Sequence, residues 1–130
     1  LLVDKPPEPV GDPEATIAWA EARHYVGKVV TVEGRIVKTG GFRSRHLGQL
    51  YFLNFVERWR DEFYVVILQD ALHGWPDPPD RYFEGALIRV TGRVTLYRKK
   101  RPQIAVRRPE QIEIVTIDKA TAATEATSDH

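Results

Sequence analysis

Two groups of basic side chains, and the aromatics spaced between them, are the residues of this 130-residue chain with the clearest chemical potential. Arg43, Arg45 and His46 fall within Lys38 to Gln49, and Arg98, Lys99, Lys100 and Arg101 fall within Tyr97 to Pro102. Counting Lys38, these two segments hold seven Arg or Lys side chains. Alternation in the intervening segments turns Leu53, Phe55, Phe63, Val65 and Ile67 to one face, leaving Phe52, Asn54, Tyr64 and Val66 on the other. Cations around Phe52, Tyr64 and Tyr97 combine attraction for phosphates with faces on which bases stack, each stacked base contributing about 1–3 kcal/mol. A basic turn also serves as solvated surface, or as a guard against edge-to-edge pairing of strands.

Catalytic patterns are weaker. The four histidines, at 24, 46, 73 and 130, show no ligand spacing, and His73, Asp77 and Asp80 lie in a proline-rich stretch that reads as a solvated turn. Glu57, Asp61 and Glu62 stand beside Arg58 and Arg60 without forming a recognisable phosphate-cleaving pattern. The chain contains no glycine-rich phosphate loop, nucleophile elbow or zinc motif, so no enzyme activity, metal or cofactor is expected.

Composition narrows the class. Hydrophobic residues make up 42% and charged residues 28%, enough for one core and too little chain for two ordinary domains. No run approaches the ~20 apolar residues of a membrane-spanning helix. With no cysteine, disulfides and thiolate chemistry are excluded. The chain starts Leu1-Leu2-Val3 and has no Met, so an initiator and any targeting segment are expected upstream. Net charge is only +1, but its distribution is uneven: residues 1–27 carry two basic and five acidic side chains, 28–115 carry 16 and 10, and 116–130 carry one and three. A basic body therefore lies between acidic ends.

The elements that must position these residues follow from local pattern. Residues 1–12, with three prolines, read as an extended leader. Asp12-Pro13-Glu14 is a helix-start signal, predicting a short helix from Pro13 to Tyr25. From Lys28 the period becomes two through Ile36, and Gly40-Gly41 is expected to stop the strand. Leu50–Val56 and Glu62–Gln69 read as a hairpin, Asp70–Glu84 as an irregular connection with at most a short helical turn. A long strand follows from Leu87 to Leu96, then Gln103–Arg108 and the alternation Ile112, Ile114. The Thr- and Ala-rich residues 116–130 read as a tail that would also suit an O-glycosylated stalk.

The segment Gly27–Ile36 echoes Gly85–Val94 in apolar phase and in both glycines, and glycine inside two long strands implies bends or close backbone approach. Five strands in this order predict an all-β protein: a five-stranded Greek-key OB-fold barrel with a short N-terminal helix, over residues 13–115. Gly27–Gly34, Tyr51–Phe55, Phe63–Ile67, Ile88–Gly92 and Pro102–Val106 resemble bacterial OB-fold domains, including those attached to secreted nucleases. Together with the cysteine-free, proline-led sequence, the resemblance tilts the expected location toward secretion or the cell surface.

On this basis the expected function is a non-catalytic module binding single-stranded nucleic acid or another polyanion. Arg43, Arg45, Arg98, Lys99, Lys100 and Arg101 would attract phosphates, and Phe52, Tyr64 and Tyr97 would stack bases. The alternative is a structural subunit of an extracellular homopolymer or filament, in which Leu1, Leu2, Val3 and Val10 dock on a neighbouring copy.

Overall fold

The computed structural model describes residues 16–116, which form eight strands and a few short helical turns. The strands are β1 (Thr16–Ala18), β2 (Val29–Arg35), β3 (Lys38–Ser44), β4 (Gly48–Asn54), β5 (Tyr64–Ile67), β6 (Leu87–Tyr97), β7 (Arg101–Val106) and β8 (Ile112–Thr116). They make one mixed sheet, hydrogen-bonded in the order β1-β2-β6-β7-β5-β4-β3, with β8 also on β6. The protein is all-β. Eight strands stand where five are expected, and the path of ladders is open. Among the described residues no helix is long and apolar enough to cross a membrane. Leu1, Leu2, Val3 and Val10 lie outside the described residues, as does the tail beyond Thr116.

Two local expectations are corrected. The helix expected over Pro13–Tyr25 is, in its described part, β1 followed by a 3₁₀ segment, Trp19–Tyr25. Thr16 and Ile17 run parallel to β2 opposite Thr31 and Val32, so tertiary pairing overrides the helix-start signal. The Trp19 ring stacks on Phe55 at 5.9 Å, anchoring the turn that follows. Nor do Gly40 and Gly41 end a strand: both lie inside β3, opposite Phe52 and Tyr51. Lys38–Gln49, expected as a loop, is therefore mostly a β-hairpin, turned at Ser44–Gly48, where the Ser44 hydroxyl accepts from the backbone N–H groups of His46 and Leu47. The connection expected over Asp70–Glu84 carries a 3₁₀ segment that begins one residue earlier, Gln69–Gly74, and a single helical turn, α1 (Pro79–Tyr82).

The core lies on the inner side of the sheet, where Val32, Leu53, Val65, Ile67, Ile88, Val90, Ile104 and Val106 are fully buried together with Phe63 and Phe83. Period-two sequence gives this directly, since alternate residues reach the same face. The internal echo has a structural counterpart: β2 and β6 pair antiparallel about Val32 opposite Val90, so Val30 faces Gly92 and Gly34 faces Ile88. The Gly27 N–H donates to Val94 O at 2.7 Å and the Gly85 N–H to Ile36 O at 2.8 Å, closing the two ends alike. Close approach is the reason for both mid-strand glycines. A Cβ at Gly34 would stand 2.5 Å from Phe55, and one at Gly92 2.7 Å from Ile104.

Candidate functional site

Alternate residues of four neighbouring strands line a groove of about 610 Å³ on the outer side of the sheet. β3 contributes Lys38, Gly40 and Phe42; β4 contributes Leu50, Phe52 and Asn54; β5 contributes Tyr64 and Val66; and β7 contributes Arg101, Gln103 and Ala105. Register puts Gly40, Phe52, Val66 and Ala105 in one row across the floor, and Lys38, Asn54, Tyr64 and Gln103 in the next. Leu47 from the β3–β4 turn, Tyr97 from the end of β6 and Trp59 from the β4–β5 connection form the walls. Phe42, Leu47 and Tyr97 are 59%, 58% and 46% exposed, large apolar surfaces left open at the rim.

Arg101 is the best-held cation of the site. Its Nε donates to Glu62 O at 2.7 Å and its Nη2 to Asn54 Oδ1 at 2.7 Å. The guanidinium carbon lies 3.7 Å from the Tyr64 ring centroid and 5.0 Å from that of Trp59, so the cation is enclosed by two aromatic faces. Yet it joins none of the ion pairs among the described residues; the Glu62 carboxylate bonds Arg23 at 2.6 Å instead. Two of its five N–H donors are engaged in these bonds. Desolvation lowers its pKa, opposed by the nearby Tyr64, Asp61 and Glu62. Burial likewise raises the Tyr64 pKa, which Arg101 pulls back down, and the Tyr64 hydroxyl donates to Gln103 Oε1.

The predicted site residues divide into two sets. Phe52, Tyr64, Tyr97 and Arg101 meet in the groove; Arg43, Arg45, Arg98, Lys99 and Lys100 do not line it and are exposed around it. Tyr64 does face outward, but it is only 3% exposed beneath Arg101, so its ring already has a stacking partner. Arg98 folds back over Tyr97, its Nε donating to the phenol oxygen at 2.9 Å. Arg98 and Lys99 both have positive φ, 54° and 62°, the pattern of a tight type I′ turn, with the Lys100 N–H on Tyr97 O at 3.0 Å. Trp59, Phe42, Leu47 and Arg107 belong to the groove without having been singled out from the sequence. An aromatic amid the charges of Glu57–Asp61 was the available signal for Trp59. Among the described residues no group of three or more His, Asp or Glu gathers as a metal site.

No family model matches the chain. No curated protein matches it either.

Proposed function

We propose that the chain is an OB-type barrel that binds single-stranded nucleic acid in the groove, without catalysing a reaction on it. The barrel reading takes β2 and β3 as halves of one bent first strand. Only Ile36 and Val37 separate them; the Ile36 N–H donates to Ala86 O and the Val37 N–H to Asn54 O, each at 2.9 Å, reaching opposite arms of the sheet. β4, β5, β6 and β7 are then strands two to five, with β1 and β8 as additions. In such barrels the face of strands two and three, flanked by the first and last hairpin loops, is where oligonucleotides and oligosaccharides bind. Here those features correspond to β4 and β5, the β3–β4 turn and the β6–β7 turn.

The observation that carries the ligand class is Arg101: a half-buried guanidinium, fixed by two hydrogen bonds and two rings, with free donors and no carboxylate partner. A phosphate oxyanion matches that geometry and charge. The apolar floor and the exposed Phe42 and Tyr97 rings suit bases whose hydrophobic faces are exposed, as they are in a single strand, while the Trp59 ring already carries the Arg101 and Arg60 guanidinium groups. Of the seven cations in Lys38–Gln49 and Tyr97–Pro102, Arg101 is the positioned contact, Lys38 also lines the groove, and the other five form a surrounding field that speeds encounter.

Fluorescence anisotropy with a labelled oligothymidylate of about 10 nucleotides at low salt tests the reading. Binding that weakens on adding salt and falls at least tenfold in Arg101→Gln is expected. No binding to the folded wild-type protein overturns it.

A further inference from the structure

We infer that the bare backbone at Gly40 is a docking place for a base, where a flat ring settles against β3 beside Phe52 while its strand's phosphate is held by Arg101. This rests on the groove reading above. A glycine inside a strand sacrifices packing surface and backbone order, so each one calls for a cause. Gly34 and Gly92 have theirs in the core, and Gly41 has the Tyr51 ring, 3.1 Å from where its Cβ would be. Gly40 has neither cause. A Cβ there would meet nothing within 4 Å, and its φ lies outside the left-handed region that favours glycine.

The space over Gly40 opens into the groove rather than into bulk solvent alone. Its cross-strand partner Phe52 does not cover it; that ring inclines toward Tyr64, with centroids 6.0 Å apart and planes at 47°. Phe42, two residues along the same strand face, stands 59% exposed at the rim. The space over Gly40 therefore has bare backbone beneath it, Phe52 across the ladder and Phe42 two residues along β3, a setting suited to a planar heterocycle. Lys38, two residues along β3 on the other side, and Arg101 supply positive charge at the same end of the groove. The β3–β4 register runs unbroken from Lys38 to Ser44, so no bulge accounts for Gly40, and the bend between β2 and β3 falls earlier, at Ile36 and Val37; close approach by a ligand is a further cause of glycine in a strand.

Gly40→Val tests this, because valine suits a strand and its Cβ would have no protein atom within 4 Å. The variant is expected to melt at or above the wild-type temperature while binding oligothymidylate roughly 5- to 150-fold more weakly, the range of one stacked base. Gly40→Ala, smaller still, is expected to show the same sign and a lesser loss, and it decides the matter should valine disturb β3. An oligomer carrying abasic sites is expected to bind wild type and both variants alike. If wild type binds oligothymidylate and both variants bind it as well, the Gly40 subsite is overturned while the groove reading stands. If folded wild type does not bind at all, the groove reading itself falls. A loss in the variants that persists in full with the abasic oligomer assigns the space to the backbone, not a base, and overturns the proposal.

Discussion

The two faces of the β4–β5–β7 sheet are both apolar, yet they are built for different ends. On the inner face Leu53, Val65, Ile67, Ile104 and Val106 are completely buried and belong to the cluster that joins all parts of the fold. On the outer face Leu50, Tyr64 and Val66 form a separate small cluster, with Phe52, Leu68 and Ala105 only partly covered. All four residues of β5 are buried although the strand alternates, because Arg101 and its neighbours lie over Tyr64 as the core lies over Val65. The outer face is thus covered in part by a cation and left partly open, where the inner face is closed by the core.

The largest contrast should come from deleting side chains on each face. Ile104→Ala is expected to cost about 2–5 kcal/mol, whereas Phe52→Ala, half-buried, should cost about 1–2 kcal/mol and lower oligonucleotide affinity as well. Urea unfolding of both variants measures this, and equal losses would erase the distinction between the faces. Next in size, Phe42→Ala should reduce affinity about tenfold with little change in its dependence on salt, while Arg101→Gln should lower the logarithmic salt slope by about 0.7. Titrations at three or more salt concentrations separate the two, and a common slope would mean that Arg101 does not touch phosphate.

A smaller effect concerns the β6–β7 turn. Replacing Arg98 and Lys99 by Asn and Gly relieves two left-handed residues and is expected to stabilise the fold by about 1 kcal/mol. Affinity should fall only through the loss of two distant charges. A lower melting temperature would show that the turn is held by contacts the substitution removes. The smallest effect is a pH dependence. Because burial raises the Tyr64 pKa above the ordinary 10.0, the folded state keeps a proton that the unfolded chain releases. The resulting stability is complete below pH 10.0 and is lost as pH rises through the higher folded value. Tyr64→Phe should flatten that decline in alkaline denaturation curves.

Period-two patterning made β2, β4, β5 and β6 legible, and with them the inward Leu53, Phe63 and Val65, because alternation depends only on neighbours along the strand. It could not reveal β3. Gly40-Gly41 reads as a break, and only the cross-strand pairing with Tyr51 and Phe52 keeps the chain extended there. Alternation also put Tyr64 on the outer face correctly without disclosing that Arg101, 37 residues later, would cover it. The cations most prominent in sequence, Arg98, Lys99 and Lys100, stand outside the groove. Arg101, the last of the same run, enters it, since the turn ends there and β7 begins. Trp59 was hidden for a similar reason: its role is set by the connection's path, and the charged residues around it suggest only a turn.

The paired echo of β2 and β6 also governs how the molecule comes together. The Thr31–Thr91 hydroxyl pair, at 2.8 Å, and the Glu33–Arg89 ion pair, at 2.9 Å, join residues 60 and 56 apart in sequence. The β3–β4 and β6–β7 hairpins can form from their own short segments, but this seam must wait for a long loop to close. The outer groove is lined by strands of both hairpins together with β5. Refolding is accordingly expected on the millisecond-to-second scale of non-local β pairing, with Thr31→Val slowing it if the seam forms in the rate-limiting step. Stopped-flow fluorescence with microsecond completion would show instead that the seam is not the late event.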